Sequence, residues 1–258
     1  MKCVIFAGGK GSRLKVENDN TPKPLVTIDE YPIIWHIMKI YYSYGVKDFI
    51  ICLGYKQEEF KKYFIDLMNN KKNINLDFKN HNINILDDDS EDWNVTLVDT
   101  GLDTLTGGRL KQIEKYLGED ENFFLTYADA VSDVDIDKLY QQHQQTNKLV
   151  TISVVKRQER FGVIELDDSN VKKFREKSLK EDEWINAGFM VVNKKVLNML
   201  ETNSGSFENE VLEKLTLSGE LSSYKHYGFW QCMDFQNERE YLNKLIKENK
   251  APWIRWNG

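Results

Sequence analysis

The chain has 258 residues, 41% hydrophobic and 29% charged, with 35 Lys and Arg against 41 Asp and Glu and a formal net charge of −6. That length buries a real core, as one large α/β domain or two small ones. An acidic balance with no basic block argues against nucleic acid as the main partner, and no apolar run approaches the roughly 20 residues that span a bilayer.

In chain order, Lys2–Phe6 reads as a buried strand that runs directly into Ala7-Gly8-Gly9, too short an apolar stretch for a signal peptide. Apolar residues at Ile33, Ile34, Ile37, Met38 and Tyr41 predict a helix over Pro32–Tyr44, with Pro32 in its first turn. Asp48–Leu53, Phe123–Thr126, Val150–Val155 and Phe189–Val192 are short apolar runs, the pattern of strands covered on both faces of a parallel sheet. Gln57–Met68 and Lys138–Thr146 are predicted helices. This alternation predicts a doubly wound α/β architecture with a mostly parallel, mixed sheet.

Asn69–Thr100, rich in Asn and Asp, breaks the rhythm and reads as an inserted loop with short strands. Phe161–Leu166 and Val171–Glu176, joined by Asp167-Asp168-Ser169-Asn170, carry a hairpin signature. No repeat or low-complexity linker divides the chain, so residues 1–258 are expected to form one domain, ending in a helical tail over about 235–258. Cys3, Cys52 and Cys232 are odd in number and far apart. They read as unpaired thiols of a reducing compartment, the cytoplasm. Four His and no C-x-x-C argue against a zinc site.

Two segments carry chemistry. Ala7-Gly8-Gly9-Lys10-Gly11-Ser12-Arg13 follows a strand; its glycines let backbone N–H groups approach phosphate oxygens, and Arg13 adds a charged donor. It is neither a Walker A loop nor G-x-G-x-x-G, and Gly-Gly alone equally fits an ordinary turn. Thr21-Pro22-Lys23-Pro24 sets a lysine between prolines, which predicts a stiff extended segment presenting Lys23 to a phosphate; alone, it better fits a solvated surface lysine.

The two elements at this spacing resemble the signature of sugar-1-phosphate nucleotidylyltransferases. Pro32–Met38, Trp93–Gly101, Thr106-Gly107-Gly108-Arg109-Leu110-Lys111, Gly228–Asp234 and Lys250–Trp253 are similar to the glucose-1-phosphate cytidylyltransferase branch. The resemblance runs almost end to end. It implies a Rossmann-like nucleotidyltransferase fold, related to that of GT-A glycosyltransferases, and transfer of a cytidylyl group from CTP to a sugar 1-phosphate, most simply α-D-glucose 1-phosphate. Arg13 and Lys23 are then the catalytic cations. Ala7, Gly8, Gly9, Lys10, Gly11, Ser12, Arg13, Lys23, Thr104, Gly108 and Arg109 contact nucleotide. Tyr127, Gly162, Glu176, Lys177, Asn186, Gly188 and Trp230 form the sugar-phosphate side, on a β region over about 156–192. Asp129 and Asp234 hold Mg²⁺, an ion that takes one or two carboxylates plus phosphate oxygens. The resemblance further implies a trimer or hexamer and a product used for surface polysaccharide.

Some residues keep a second reading. Arg109 with the amides of a helix start makes an anion site, or is a surface residue. Glu176 and Lys177 equally form a hairpin-end ion pair, Asn186 a turn, and Trp230 core. Asp133-Val134-Asp135 matches a metal-binding Asp-x-Asp, but Asp135 before Ile136 better fits a helix cap. The family's Gly-Asp-Gly is Ala128-Asp129-Ala130 here, its Glu-Lys-Pro is Glu176-Lys177-Ser178, and its Asn-Gly-Gly-Phe is Asn186-Ala187-Gly188-Phe189. The methyl groups beside Asp129 are expected to narrow the site and restrict φ. Rival functions are a nucleotidylyltransferase with another base or acceptor, a glycosyltransferase, and a non-catalytic nucleotide-binding paralogue.

Overall fold

The computed structural model describes residues 1–9, 21–70, 74–86, 91–156, 163–167, 170–175 and 183–256. The N-terminal half runs β1 (Cys3–Phe6), β2 (Thr27–Ile28), β3 (Tyr31–Pro32), α1 (Ile33–Tyr42), β4 (Asp48–Leu53), α2 (Gln57–Asn70), β5 (Ile74–Asp77), β6 (Asn82–Ile85), β7 (Asn94–Asp99) and α3 (Thr106–Gln112). There follow β8 (Asn122–Tyr127), β9 (Ala130–Ser132), α4 (Ile136–Thr146), β10 (Val150–Lys156), β11 (Val163–Asp167), β12 (Asn170–Arg175), β13 (Trp184–Asn193), α5 (Glu213–Leu217), β14 (Leu221–Lys225), β15 (Trp230–Cys232) and α6 (Gln236–Lys247).

Among the described residues a seven-stranded sheet has the order β14-β10-β13-β8-β1-β4-β7. β8, β1, β4 and β7 pair in parallel, as do β10 and β14, while β13 runs antiparallel to both its neighbours. The expected Phe189–Val192 strand is thus longer and reversed. It still reads as a continuous apolar run because it is covered on both faces.

Alternation along the strands feeds two layers. Cys3, Ile5, Phe49, Ile51 and Phe124 face a core built with α1, α4, Leu242 of α6 and Trp253. Val4, Phe6, Ile50, Cys52, Phe123 and Leu125 face the other, with Leu110 of α3, Leu197, Phe207 and Leu215. This is the expected doubly wound arrangement.

Three differences from the sequence reading have physical causes. β7 pairs in register with β4, Asp48 to Asn94 through Leu53 to Asp99, so the second half of the supposed insertion is an edge strand of the central sheet. Its exposed ends, Asn94 and Asp99, are polar, and that hid its place in the sheet. β5 and β6 do form a separate hairpin. Pro32 precedes α1 in extended conformation (ψ 155°) rather than standing in its first turn. The tail is helical only to Lys247; Asn249, at φ 53°, ends the helix, and the chain returns to the core. The β11–β12 hairpin is present. No described helix is long and apolar enough to cross a membrane.

The returning segment packs on α1. Trp253 is 1% exposed, stacks on Phe229 at 5.4 Å, and its Nε1–H donates to His36 Nδ1 at 3.4 Å. That leaves the ring proton on Nε2, which donates to the Ile28 carbonyl at 3.0 Å. Burial pushes His36 down to about 4 from the ordinary 6.5, with Ile28 and Asp29 partly opposing. Between those values the unfolded chain binds a proton that the folded chain does not, so stability falls with acidification. From pH 7 to pH 5 the native protein is expected to lose about 2 kcal/mol more than a His36→Gln variant does. Urea unfolding of both at the two pH values checks this; equal losses refute it.

Candidate active site

β1, β4, β8 and β10 all end at one edge of the sheet, where open α/β sheets bind ligands. From that edge β1 passes into Ala7-Gly8-Gly9, tied to the neighbouring strand by Ala7 N–H to Cys52 O (3.0 Å) and Tyr55 N–H to Gly8 O (3.2 Å). Lys10, Gly11, Ser12 and Arg13 lie outside the described residues, as do Gly162, Glu176, Lys177 and Ser178.

Lys23 is not in an extended segment. It opens a 3₁₀ turn, Lys23–Leu25, closed by Leu25 N–H to Pro22 O (2.8 Å) and Val26 N–H to Lys23 O (3.1 Å). Buried Pro24 anchors the turn, so the rigidity expected of the two prolines is kept in another geometry.

Its ammonium marks the centre of the site. Nζ lies 2.8 Å from Asp129 Oδ2 and 2.6 Å from Asp234 Oδ1. The Lys23 side chain is 9% exposed, while those of Asp129 and Asp234 are 39% and 26% exposed. Burial pulls the Lys23 pKa down most strongly of any single influence, but the two carboxylates together outweigh it and leave the pKa raised. Chain-distant aspartates meet because β9 pairs with β15, Ala130 opposite Cys232, and Met233 N–H donates to Asp129 O at 2.8 Å. This ladder sets the two carboxylates side by side.

Ala128 and Ala130 are 3% and 7% exposed, and neither has positive φ. The Ala128 methyl belongs to the hydrophobic core. A glycine conformation is not required at either position, so the expected restriction of φ is absent. Ala187 is likewise buried with ordinary backbone.

Arg109 differs from both readings of it. It is 5% exposed, and its guanidinium reaches into the loops of the strand edge. Nη1 donates to Leu53 O (2.8 Å) and Thr100 Oγ1 (2.6 Å), and Nη2 to Gly8 O (3.2 Å) and Leu102 O (3.3 Å). Burial lowers its pKa, with Cys52 and Asp99 opposing. Arg109 thus ties together the segments leaving β1, β4 and β7. The start of α3 is not an open anion site either. Gly107 N–H donates to Gly205 O at 2.9 Å, and a Cβ on Gly108 would lie 2.7 Å from Thr202 O. These glycines admit the 202–205 loop. Thr104, half-buried, folds back over Gly101.

On the opposite flank, Tyr127, Asn186, Gly188 and Trp230 come together. Gly188 has φ +84°, and a Cβ there would lie 2.8 Å from Tyr127 Cδ2, so glycine is needed twice over. Its N–H donates to Asn186 Oδ1 at 2.9 Å, and Trp230 Nε1–H donates to Ala187 O at 2.8 Å. The Trp230 side chain is therefore pinned to the turn before Gly188. The Tyr127 hydroxyl donates to Glu208, and burial with that carboxylate raises its pKa. Glu208 also accepts from Thr106 Oγ1 at 2.8 Å, at the start of a π-helical turn, Glu208–Leu212. Sequence reasoning missed Glu208, because nothing local ties it to Tyr127.

Asp133 and Asp135 are structural. Asp135 caps α4 by accepting from Lys138 N–H at 3.0 Å. Asp133 accepts from Phe229 N–H at 2.6 Å and lies 2.9 Å from His226 Nε2.

A family model for nucleotidyl transferases matches residues 2–233. The glucose-1-phosphate cytidylyltransferase of Salmonella typhi is 40% identical over 256 residues, 99% of this chain and 100% of that protein. The protein of Bacillus subtilis named "Probable glucose-1-phosphate cytidylyltransferase" is 39% identical over 257 residues, again 99% of this chain and 100% of its own length. Among solved structures, HddC from Yersinia pseudotuberculosis superposes with a TM-score of 0.69 at 23% identity, covering 95% of this chain and 99% of that one, a likeness of fold. Matched over most of its length by the family model, and end to end by these relatives, the chain belongs to the nucleotidyl transferase family.

Proposed function

We propose that the chain transfers a cytidylyl group from CTP to α-D-glucose 1-phosphate, giving CDP-glucose and pyrophosphate. The observation that carries the site is the meeting of Asp129 and Asp234 on one ammonium, Lys23 Nζ. The choice of substrates rests on relatives of that activity, similar from end to end.

The residues present fit a magnesium ion. Two carboxylate oxygens already face one positive group from opposite chain segments, the hard oxygen donors this ion prefers, and leave its other positions to phosphate and water. Mg²⁺ held there would neutralise charge on the triphosphate. In the reaction a sugar-phosphate oxygen attacks the α-phosphorus in line, a new P–O bond forms, and the bond to the β-phosphate oxygen breaks with release of pyrophosphate. No covalent enzyme intermediate is needed, so positioning and charge neutralisation do the work. Lys23 and Arg13 supply positive charge to the phosphates, and the glycine loop after β1 supplies backbone N–H donors. Tyr127, Glu176, Lys177, Asn186, Gly188 and Trp230 hold the sugar phosphate.

Pyrophosphate release from CTP, UTP, dTTP, ATP and GTP, each against a panel of sugar 1-phosphates, tests the proposal. CTP with glucose 1-phosphate is expected to be fastest. A clear preference for another base or acceptor, or no release at all, overturns it.

A further inference from the structure

Asp234 stands at a junction between a strand and a helix, its carboxylate bonded to Lys23 Nζ. It follows β15 and precedes α6, and the helix begins after Phe235, whose side chain offers no oxygen for a cap. Glu238 fills that role from the first turn of α6. It is 5% exposed, and its Oε2 accepts from the backbone N–H of Asp234 at 2.6 Å and of Phe235 at 3.0 Å. The Cys232 thiol points at Oε1 from 3.8 Å. A buried carboxylate is unfavourable unless hydrogen-bonded, and the start of a helix is where amide donors and the dipole offset that burial. On the other side, Met233 N–H is bonded to Asp129 O. The backbone at Asp234 is thus held from before by the β9–β15 ladder and from after by Glu238.

We infer that Glu238 is a positioning residue. By accepting the Asp234 and Phe235 amides it sets the Asp234 carboxylate beside that of Asp129, ready for a divalent cation. This deepens the proposed function and rests on its reading of the aspartate pair as the metal site. Removing a group that orients a metal-binding side chain typically weakens metal binding about 10–100-fold. A glutamine retains a carbonyl oxygen at the same reach, whereas an aspartate is one methylene too short.

The test is Mn²⁺ binding to the nucleotide-free protein, followed by electron paramagnetic resonance of the free ion, alongside thermal melting and the Mg²⁺ concentration for half-maximal turnover. Glu238→Ala and Glu238→Asp are expected to bind Mn²⁺ about tenfold more weakly and to need correspondingly more Mg²⁺, with kcat recovering at saturation. Glu238→Gln is expected to stay within about threefold of the native protein. Leu242→Ala, which opens the buried face of the same helix, is expected to lower the melting temperature and leave Mn²⁺ binding unchanged. The inference is overturned if Glu238→Ala binds Mn²⁺ normally, if Glu238→Gln is as weak as Glu238→Ala, or if Leu242→Ala weakens binding equally. Should Glu238→Ala not fold, native affinity in Glu238→Asp overturns it instead. Asp234→Asn separates the two levels: native-strength binding after this change removes the metal reading itself, whereas binding weakened there but intact in Glu238→Ala removes the inference alone.

Discussion

Asp129→Asn and Lys23→Ala are each expected to lower pyrophosphate release by about 10²–10³ while leaving the fold intact. Asp129 is partly exposed and takes no part in core packing, so its neutral isostere changes charge and little else. It would leave Asp234 to hold the ion alone. Lys23→Ala has a second consequence. Without the ammonium, two carboxylates that both lie within 2.8 Å of Nζ face one another uncompensated. Added Mg²⁺ relieves that repulsion, and a ligand that binds only the folded state raises its stability. The melting temperature of Lys23→Ala should therefore rise more with MgCl₂ than that of the native protein. Turnover assays and thermal melts with and without MgCl₂ decide both points. Near-native release by folded Asp129→Asn refutes the aspartate's role.

The second large effect is expected at Gly8. A Cβ there would lie 2.1 Å from Arg109 Nη1 and 2.3 Å from its Cζ. The conflict is not conformational, since Gly8 lacks a positive φ. Nor can the arginine swing aside, because its head is held by Leu53, Thr100, Gly8 and Leu102. Gly8→Ala must either displace the guanidinium, breaking its hydrogen bonds to Leu53 O, Thr100 Oγ1 and Gly8 O and leaving a buried charge unpaired, or push the loop off the strand edge. The expected loss is about 3 kcal/mol, which for a chain of this size lowers the melting temperature by about 6–12 °C. Nucleotide binding should fall with it. The double variant Gly8→Ala/Arg109→Ala discriminates the cause. If the guanidinium is what the methyl strikes, the double variant should be within about 0.5 kcal/mol of Arg109→Ala alone, a clear failure of additivity. Additive losses refute the assignment.

Much of the architecture was legible because strands covered on both faces are written as plain apolar runs. Asp48–Leu53 was read to the residue, and β1, β8 and β10 to within one or two at their ends. β7 was read only as a short strand of an insertion, because the polar residues Asn94, Thr96 and Asp99 interrupt its apolar run like a loop. The direction of β13 was not legible, since an apolar run has no sense until its partners are known. At the site, the glycine loop and Lys23 could be read from local pattern. The convergence of Asp129 with Asp234 could not: it is made by a three-residue ladder between strands far apart in the chain, and only family resemblance pointed to it. Arg109 was misread for the same reason, as its acceptors come from segments at 8, 53, 100 and 102. Glu238, by contrast, stands three residues after the N-cap position Phe235, where a capping glutamate is a recognised local signal.

The docking of Trp253 against α1 has a consequence for biosynthesis. The helix it covers begins at Ile33 and is made early, yet His36 and Phe229 find their stacking and hydrogen-bonding partner only at residue 253. A nascent chain emerges from the ribosome N-terminus first. Until translation has passed residue 253, the His36 side of α1 stays uncovered on a polypeptide that already holds most of its strands. The contact of Trp253 with His36 and Phe229 therefore closes post-translationally or at the very end of synthesis. A chain stopped before Trp253 would keep that surface exposed to chaperones and to other unfinished copies.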